Sequence, residues 1–224
     1  MRPTLAVRKA SRAALFGLAV AALLVPTAAR AAKESFAYEP PTRAPKGELT
    51  RYVDERPEAV FEQVWAFLEQ QGFAIESVNP RDWVVVARYG GDPRPYLDCG
   101  AVTQLIDGQA ADPPKRYSAN KAEVRTARNP KGRRYGLMRR LRLDARLVVR
   151  VEPRGKGSRV YAEAIYVATK TINRIRKGGV PDELLDQEVI SFTSERPGQF
   201  EKGTVCVGNG KLESVPLNLF KRTS

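Results

Sequence analysis

The sequence predicts an α+β domain: a mainly antiparallel sheet with an early long helix packed on one face. Three observations carry this. Leu141, Leu143, Ala145, Leu147, Val149 and Val151 alternate with Arg142, Asp144, Arg146, Val148, Arg150 and Glu152. A period of two makes a strand with one face in a core and one in water. Val60, Phe61, Val64, Trp65 and Leu68 fall at helical spacing and form one apolar stripe. The other apolar runs are short and punctuated by Asn-Pro, Pro-Arg-Gly and Asn-Gly, which are hairpin signals. One helix before a series of hairpins places the helices on one face of an antiparallel sheet.

From the N-terminus, Arg2, Arg8, Lys9 and Arg12 precede an apolar run from Ala13 to Val25, closed by Pro26. That run is shorter than the roughly 20 residues of a membrane-spanning helix, although an N-terminal anchor is the alternative reading. Ala29-Arg30-Ala31 fits the small-x-small rule of signal peptidase. Residues 1–31 are therefore expected to be a signal peptide of the general secretory type. Arg8-Lys9 is not a twin-arginine pair, and no lipobox cysteine follows the run, so lipidation is not expected. Residues 32–47 contain three prolines and little apolar content, which reads as a flexible leader. One α+β domain is expected over 48–224.

Within that domain "LTRYV" is a short strand. "ERPEAVFEQVWAFLEQQG" is the helix, with Pro57 in its first turn and Gly72 at its C-terminal cap. "FAIESV" and "WVVVARY" flank a polar turn, and "YLDCGAVTQLI" is a further strand. Residues 107–140 are rich in Pro, Gly, Ala and charge without apolar period, which predicts a basic flexible insertion. After the alternating strand, "RVYAEAIYVATK" returns across a turn, "EVISFTS" and "GTVCVGN" are strands, and "KLESVPLNLFKR" is a short helix. Pro216 is expected in its first turn or at a break. The tally is seven or eight strands and two or three helices.

The stretch from Pro57 to Tyr89 resembles the helix-grip domains of the BamC (NlpB) family, components of the outer-membrane β-barrel assembly machine. Val64-Trp65 and Leu68 lead to Gly72-Phe73, a strand, a polar turn and Val-Val-Ala-Arg-Tyr. Asp98-Cys99-Gly100, and Cys206 through Gly210, Leu212 and Glu213, are similar to motifs of small bacterial envelope lipoproteins. The resemblance covers about residues 49–105 and 141–213. It implies an envelope domain with a Cys99–Cys206 bridge and no catalytic residues. The arginine-rich insertion is not part of the family pattern.

Composition narrows the chemistry. The 224 residues carry a formal net charge of +13, two cysteines and no histidine. Histidine-dependent nucleophiles and the usual zinc and copper sites are thereby excluded. No metal and no cofactor are expected. In an exported chain Cys99 and Cys206 can remain oxidised, and neither lies in a C-x-x-C. The alternative is two free buried thiols. "VCVGNGKLE" lacks the first glycine and the Ser/Thr of a phosphate loop. Ser118 to Lys121 has serine-lysine spacing but no companion motif. Asp54, Glu55 and Glu58 cluster at the helix start, where they oppose the helix dipole.

Charge is the remaining constellation. From Lys115 to Arg150 there are thirteen Lys or Arg and two acids, Glu123 and Asp144. Lys115, Arg116, Lys131, Arg133, Arg134, Arg139, Arg140 and Arg142 are the candidates for binding an anionic surface; the alternative is a solvated loop. The expectation is a non-catalytic exported protein, periplasmic or outer-membrane-associated, with a structural or adaptor role possible in outer-membrane assembly. Its partners would be envelope proteins or an anionic lipid surface. The second reading is a basic module for anionic glycolipid or nucleic acid, with export arguing against nucleic acid. The third is an enzyme using carboxylates alone.

Overall fold

The computed structural model describes residues 34–42, 49–106, 115–128, 135–176 and 179–220. In chain order these form β1 (Glu34–Glu39), β2 (Thr50–Val53), α1 (Pro57–Gln70), β3 (Ala74–Asn79), β4 (Val84–Gly91), β5 (Leu97–Asp98), β6 (Ala101–Ile106), β7 (Lys115–Ser118) and β8 (Glu123–Arg128). There follow β9 (Tyr135–Arg154), β10 (Gly157–Ile175), β11 (Pro181–Thr193), β12 (Gly198–Gln199), β13 (Val205–Gly208) and α2 (Lys211–Asn218). Every strand pairing among the described residues is antiparallel. With its two helices the chain is α+β.

The alternating stretch Leu141–Glu152 lies inside β9, and its turn at Gly155 (φ +60) returns the chain as β10. The two strands pair from Gly157 opposite Arg154 to Ile175 opposite Gly136. This hairpin is the spine of a seven-stranded sheet, and two strands share each of its edges. On β9, β4 pairs with Leu143–Arg150 and β8 with Tyr135–Arg140. On β10, β2 pairs with Ser158–Tyr161 and β11 with the stretch from Ile165. Ser194 fills the changeover on β10: its Oγ accepts from the Ala164 amide (2.8 Å), and its own amide donates to the Ala164 carbonyl (3.1 Å).

Both helices lie on the face carrying Leu141, Leu143, Ala145, Leu147, Val149 and Val151, all buried. From β10 the same core takes Val160, Ala162, Ala164, Tyr166 and Ala168. Val60, Phe61, Val64 and Leu68 of α1 close it, with Leu212 and Leu217 of α2. Pro57 occupies the start of α1, and Gly72 (φ +78) follows its end. The turn before β4 is built by Asn79, whose Oδ1 accepts from the Arg81 and Asp82 amides (3.1 and 3.3 Å). Pro216 is the sixth residue of α2, and the helix continues two residues past it, so it neither opens nor immediately breaks it.

Two expectations are corrected. Residues 34–39, assigned to a flexible leader, form β1 and pair with β6. Tyr38 holds the strand down: its hydroxyl accepts from the Val205 amide (2.9 Å) and lies 3.1 Å from the Val205 carbonyl. The basic insertion at 107–140 contains β7, β8 and the first six residues of β9. Its strands pair by register with β6, β9 and β10 rather than by an apolar period of their own. The strand count accordingly exceeds the seven or eight expected. The proposed signal peptide (1–31), residues 107–114 and residues 129–134 lie outside the described residues.

Tyr166 links sheet and C-terminal helix. It is fully buried, stacks on Phe192 (5.2 Å between centroids) and donates to Glu213 Oε1 at 2.6 Å. Gly208 leaves it room, since a Cβ there would meet its ring at 2.7 Å. Burial first, then the Glu213 carboxylate, push the Tyr166 phenol far above its ordinary value. A phenol whose folded pKa is raised contributes stability that is present below the unfolded value, about 10, and lost as pH rises above it. Tyr38, Tyr89, Tyr96 and Tyr161 are raised in the same direction, each chiefly by burial. Urea-unfolding midpoints are expected to fall above about pH 10. Tyr166→Phe should cost about 1–3 kcal/mol at neutral pH, because the buried Glu213 loses its donor, and should make the alkaline fall shallower. A slope unchanged by the substitution would contradict the assignment.

Candidate anionic-surface interface

Leu97 and Asp98 pair with Gly208 and Val207. Continuing that register by one residue sets Cys99 opposite Cys206. Their Cα atoms are 4.0 Å apart and the sulfurs are bonded. Both cysteines are buried, and the bond between them removes the free-thiol alternative. Gly100 (φ +73) follows, and a Cβ there would fall 2.1 Å from the Glu39 carbonyl oxygen. The bridge therefore sits where β1, β5 and β13 meet, tying together positions 107 residues apart.

Among the described residues the basic candidates do not form one cluster. Lys115 and Arg116 are exposed on β7, and Arg116 pairs with Glu39. Arg140 and Arg142 lie instead on the large sheet, on the face away from the helices. Lys131, Arg133 and Arg134 fall outside the described residues.

Arg139 departs from the expectation of an exposed binding residue. It alternates onto the helix side of β9, and its guanidinium donates to the carbonyls of Ala119 (2.9 Å) and Lys121 (3.0 Å). It thereby clamps the turn between β7 and β8. Burial holds its pKa below the ordinary arginine range, and its Nε is buried without an acceptor. Arg139 is a structural cation, placed inward because β9 alternates and the β7–β8 turn offers carbonyls there.

The open face of the large sheet adds three arginines outside the candidate set: Arg146 and Arg150 on β9, and Arg88 on β4 opposite Arg146. Their alternation with Leu147 and Val149 was visible, but the register bringing Arg88 beside Arg146 was not. Arg146 pairs with Glu76 (3.2 Å) and Arg140 with Glu123 (3.1 Å). Arg88, Arg142 and Arg150 have no ion pair among the described residues. Val148, Ile165 and Val167 lie between them, half-buried.

Where β4 leaves β9 and β8 begins, an open cleft of about 290 Å³ is lined in part by Asp92, Glu123, Arg140, Leu141 and Arg142. Its acids are already engaged. The Arg94 side-chain hydrogen bond lowers the Asp92 carboxyl, and those from Arg125 and Arg140 lower Glu123. The positive charge of Arg142 is left facing water.

Other constellations resolve into local structure. Glu55 Oε2 accepts from Gln63 (2.7 Å), and Glu58 sits in the first turn of α1. The Ser118 hydroxyl donates to Asn120 Oδ1 (2.5 Å). Asn209 Oδ1 accepts from the Lys211 amide (3.1 Å), and Gly210 takes φ +76 before α2. Among the described residues there is no cluster of three His, Cys, Asp or Glu placed for a metal, and no helix long and apolar enough to cross a membrane. No family model, curated protein or solved structure matches the chain.

Two predictions follow from this geometry. Replacing Cys99 and Cys206 together by Ser should cost about 4–5 kcal/mol, the chain-entropy value for a loop of this length, read as urea-unfolding free energy. A loss under about 1 kcal/mol would mean the bridge constrains little that the fold does not already hold. Arg139→Ser should cost about 1.5–3 kcal/mol through two lost charged hydrogen bonds, whereas Arg142→Ser should stay within about 0.5 kcal/mol. Equal effects on thermal unfolding would remove the distinction between clamp and surface residue.

Proposed function

We propose that the protein is an exported, non-catalytic component of a bacterial cell envelope, periplasmic or outer-membrane-associated, with a structural or adaptor role. The buried Cys99–Cys206 bridge carries this reading, because structural disulfides belong chiefly to oxidising compartments. The charged N-terminus, the apolar run and Ala29-Arg30-Ala31 point the same way. The lack of histidine, and the engagement of Glu55, Ser118 and Asn209 in local hydrogen bonds, favour binding over catalysis. An early helix against an antiparallel sheet suits a helix-grip domain and, with it, a place in outer-membrane assembly.

A second reading is favoured by the open sheet face: a basic module recruited by negative charge. Arg88, Arg142 and Arg150 support it more than the insertion does. Export argues against nucleic acid as the partner.

Intact-mass analysis of envelope protein should find a chain beginning at Ala32 with its cysteines oxidised. Full-length, reduced protein confined to the cytoplasm would overturn the export reading. Crosslinking in intact cells should then recover barrel-assembly proteins if the adaptor role holds.

A further inference from the structure

β11 is an edge strand of the large sheet, and large hydrophobic side chains in and beside it are exposed. Val180, Leu184, Leu185 and Val189 are 64, 55, 40 and 57% exposed. Edge strands are commonly shielded by charge, but here the acids of the strand are engaged within the chain. Asp182 pairs with Arg176 (2.5 Å), Glu183 with Arg174 (2.9 Å), Asp186 with Lys202 (2.6 Å), and Glu188 with Lys170. The strand thus shows apolar side chains with its negative charge cancelled.

Register connects this edge to the arginines. Val189 lies opposite Thr169, and Thr169 opposite Arg142, so the three form one row on the open face. Leu184 lies opposite Asn173 on the same side, beyond a bulge. Two rows along, Arg88 and Arg146 face each other directly. Like charges in that position repel, and Glu76 engages Arg146 alone. A phosphate-bearing surface would relieve the repulsion while apolar side chains enter its interfacial layer.

We infer that the open face of the large sheet docks on an anionic phospholipid surface. Arg88, Arg142 and Arg150 pair with headgroup phosphates, and Leu184 and Val189 enter the boundary between headgroups and acyl chains. This rests on the second reading above, binding through charge, and names its partner. Charge complementarity selects the occupant: Arg88, Arg142 and Arg150, without an ion pair among the described residues, outnumber the acids Asp144 and Glu163 of the same face and lie beside an apolar edge whose acids are engaged.

The test is flotation of the purified, oxidised protein with phosphatidylglycerol or phosphatidylcholine vesicles. Wild type should float with the anionic vesicles alone and release in high salt, as screening shortens the range of attraction. Combining Arg88→Ser, Arg142→Ser and Arg150→Ser should weaken binding about 100-fold, since each cation near an anionic leaflet contributes about fivefold. Leu184→Ser with Val189→Ser should weaken it about tenfold by removing buried apolar surface. Lys115→Ser with Arg116→Ser, on the separate β1–β6–β7 sheet, should have a clearly smaller effect than the triple variant. Melting curves should match wild type in each case.

Equal binding to both vesicles, or a triple variant that floats like wild type, would overturn the proposal. So would recovery of an acidic protein through the same arginines when wild type does not float. All variants carry the same N-terminus as their reference, so residues 1–31 contribute equally to each comparison. A chain that proves not to be exported leaves flotation as the readout. Failed flotation leaves the processed N-terminus as evidence for export.

Discussion

The pairing of β9 with β10 is the constraint on which the rest depends. Each long strand alternates, and antiparallel register aligns the two alternations, so over 141–151 and 160–168 one face of the hairpin is apolar and the other carries the arginines, with Val148, Ile165 and Val167 among them. A slip of one residue would exchange the faces. The helices can cover only the apolar side, and Arg140, Arg142, Arg146 and Arg150 are therefore left on the other. Core and candidate binding face are two consequences of one periodicity.

The hairpin is longer than any strand that pairs with it, and this explains the divided edges. β4 and β8 share β9, and β2 and β11 share β10. The junctions leave backbone groups that need partners. Ser194 supplies them at Ala164, and the Ala122 carbonyl accepts from the Leu141 amide at the corresponding point on β9. The cleft beside Arg142 is the space left at that second junction. In the small separate sheet, β5, β12 and β13 are only two to four residues long. Strands so short contribute few ladder bonds, and the Cys99–Cys206 bridge fixes them in place of a longer ladder.

Sequence revealed most where one residue's environment repeats at a fixed interval. The Leu141–Val151 alternation, the Val60–Leu68 stripe and the cap at Gly72 could be read directly, and the two cysteines had only each other as partners. β1 could not be read, because "ESFAYE" has a weak pattern and its partner β6 lies beyond the first helix and hairpin. β8 and the start of β9 were hidden by charge: "EVRTAR" and "YGLMRR" show no clean period, and Leu137 and Met138 are both buried although adjacent. Arg139 was indistinguishable from its neighbours, since what makes it structural is the pair of carbonyls across the turn. The Arg88–Arg146 encounter and the row from Val189 to Arg142 arise from register, which no local pattern encodes.

The central hairpin is the most stable element, with the basic face displayed on it and the β1–β6–β7 sheet as a less buried addition. Native-state hydrogen exchange tests this most directly, because amides of the stable core open only with global unfolding. The ladder amides over 141–151 and 160–168 should be the slowest to exchange, at the free energy measured by urea, while those of 115–118 exchange sooner. Exchange of the 141–151 amides through openings well below the global free energy, or greater protection in β7, would contradict the hairpin's place as the spine of the fold.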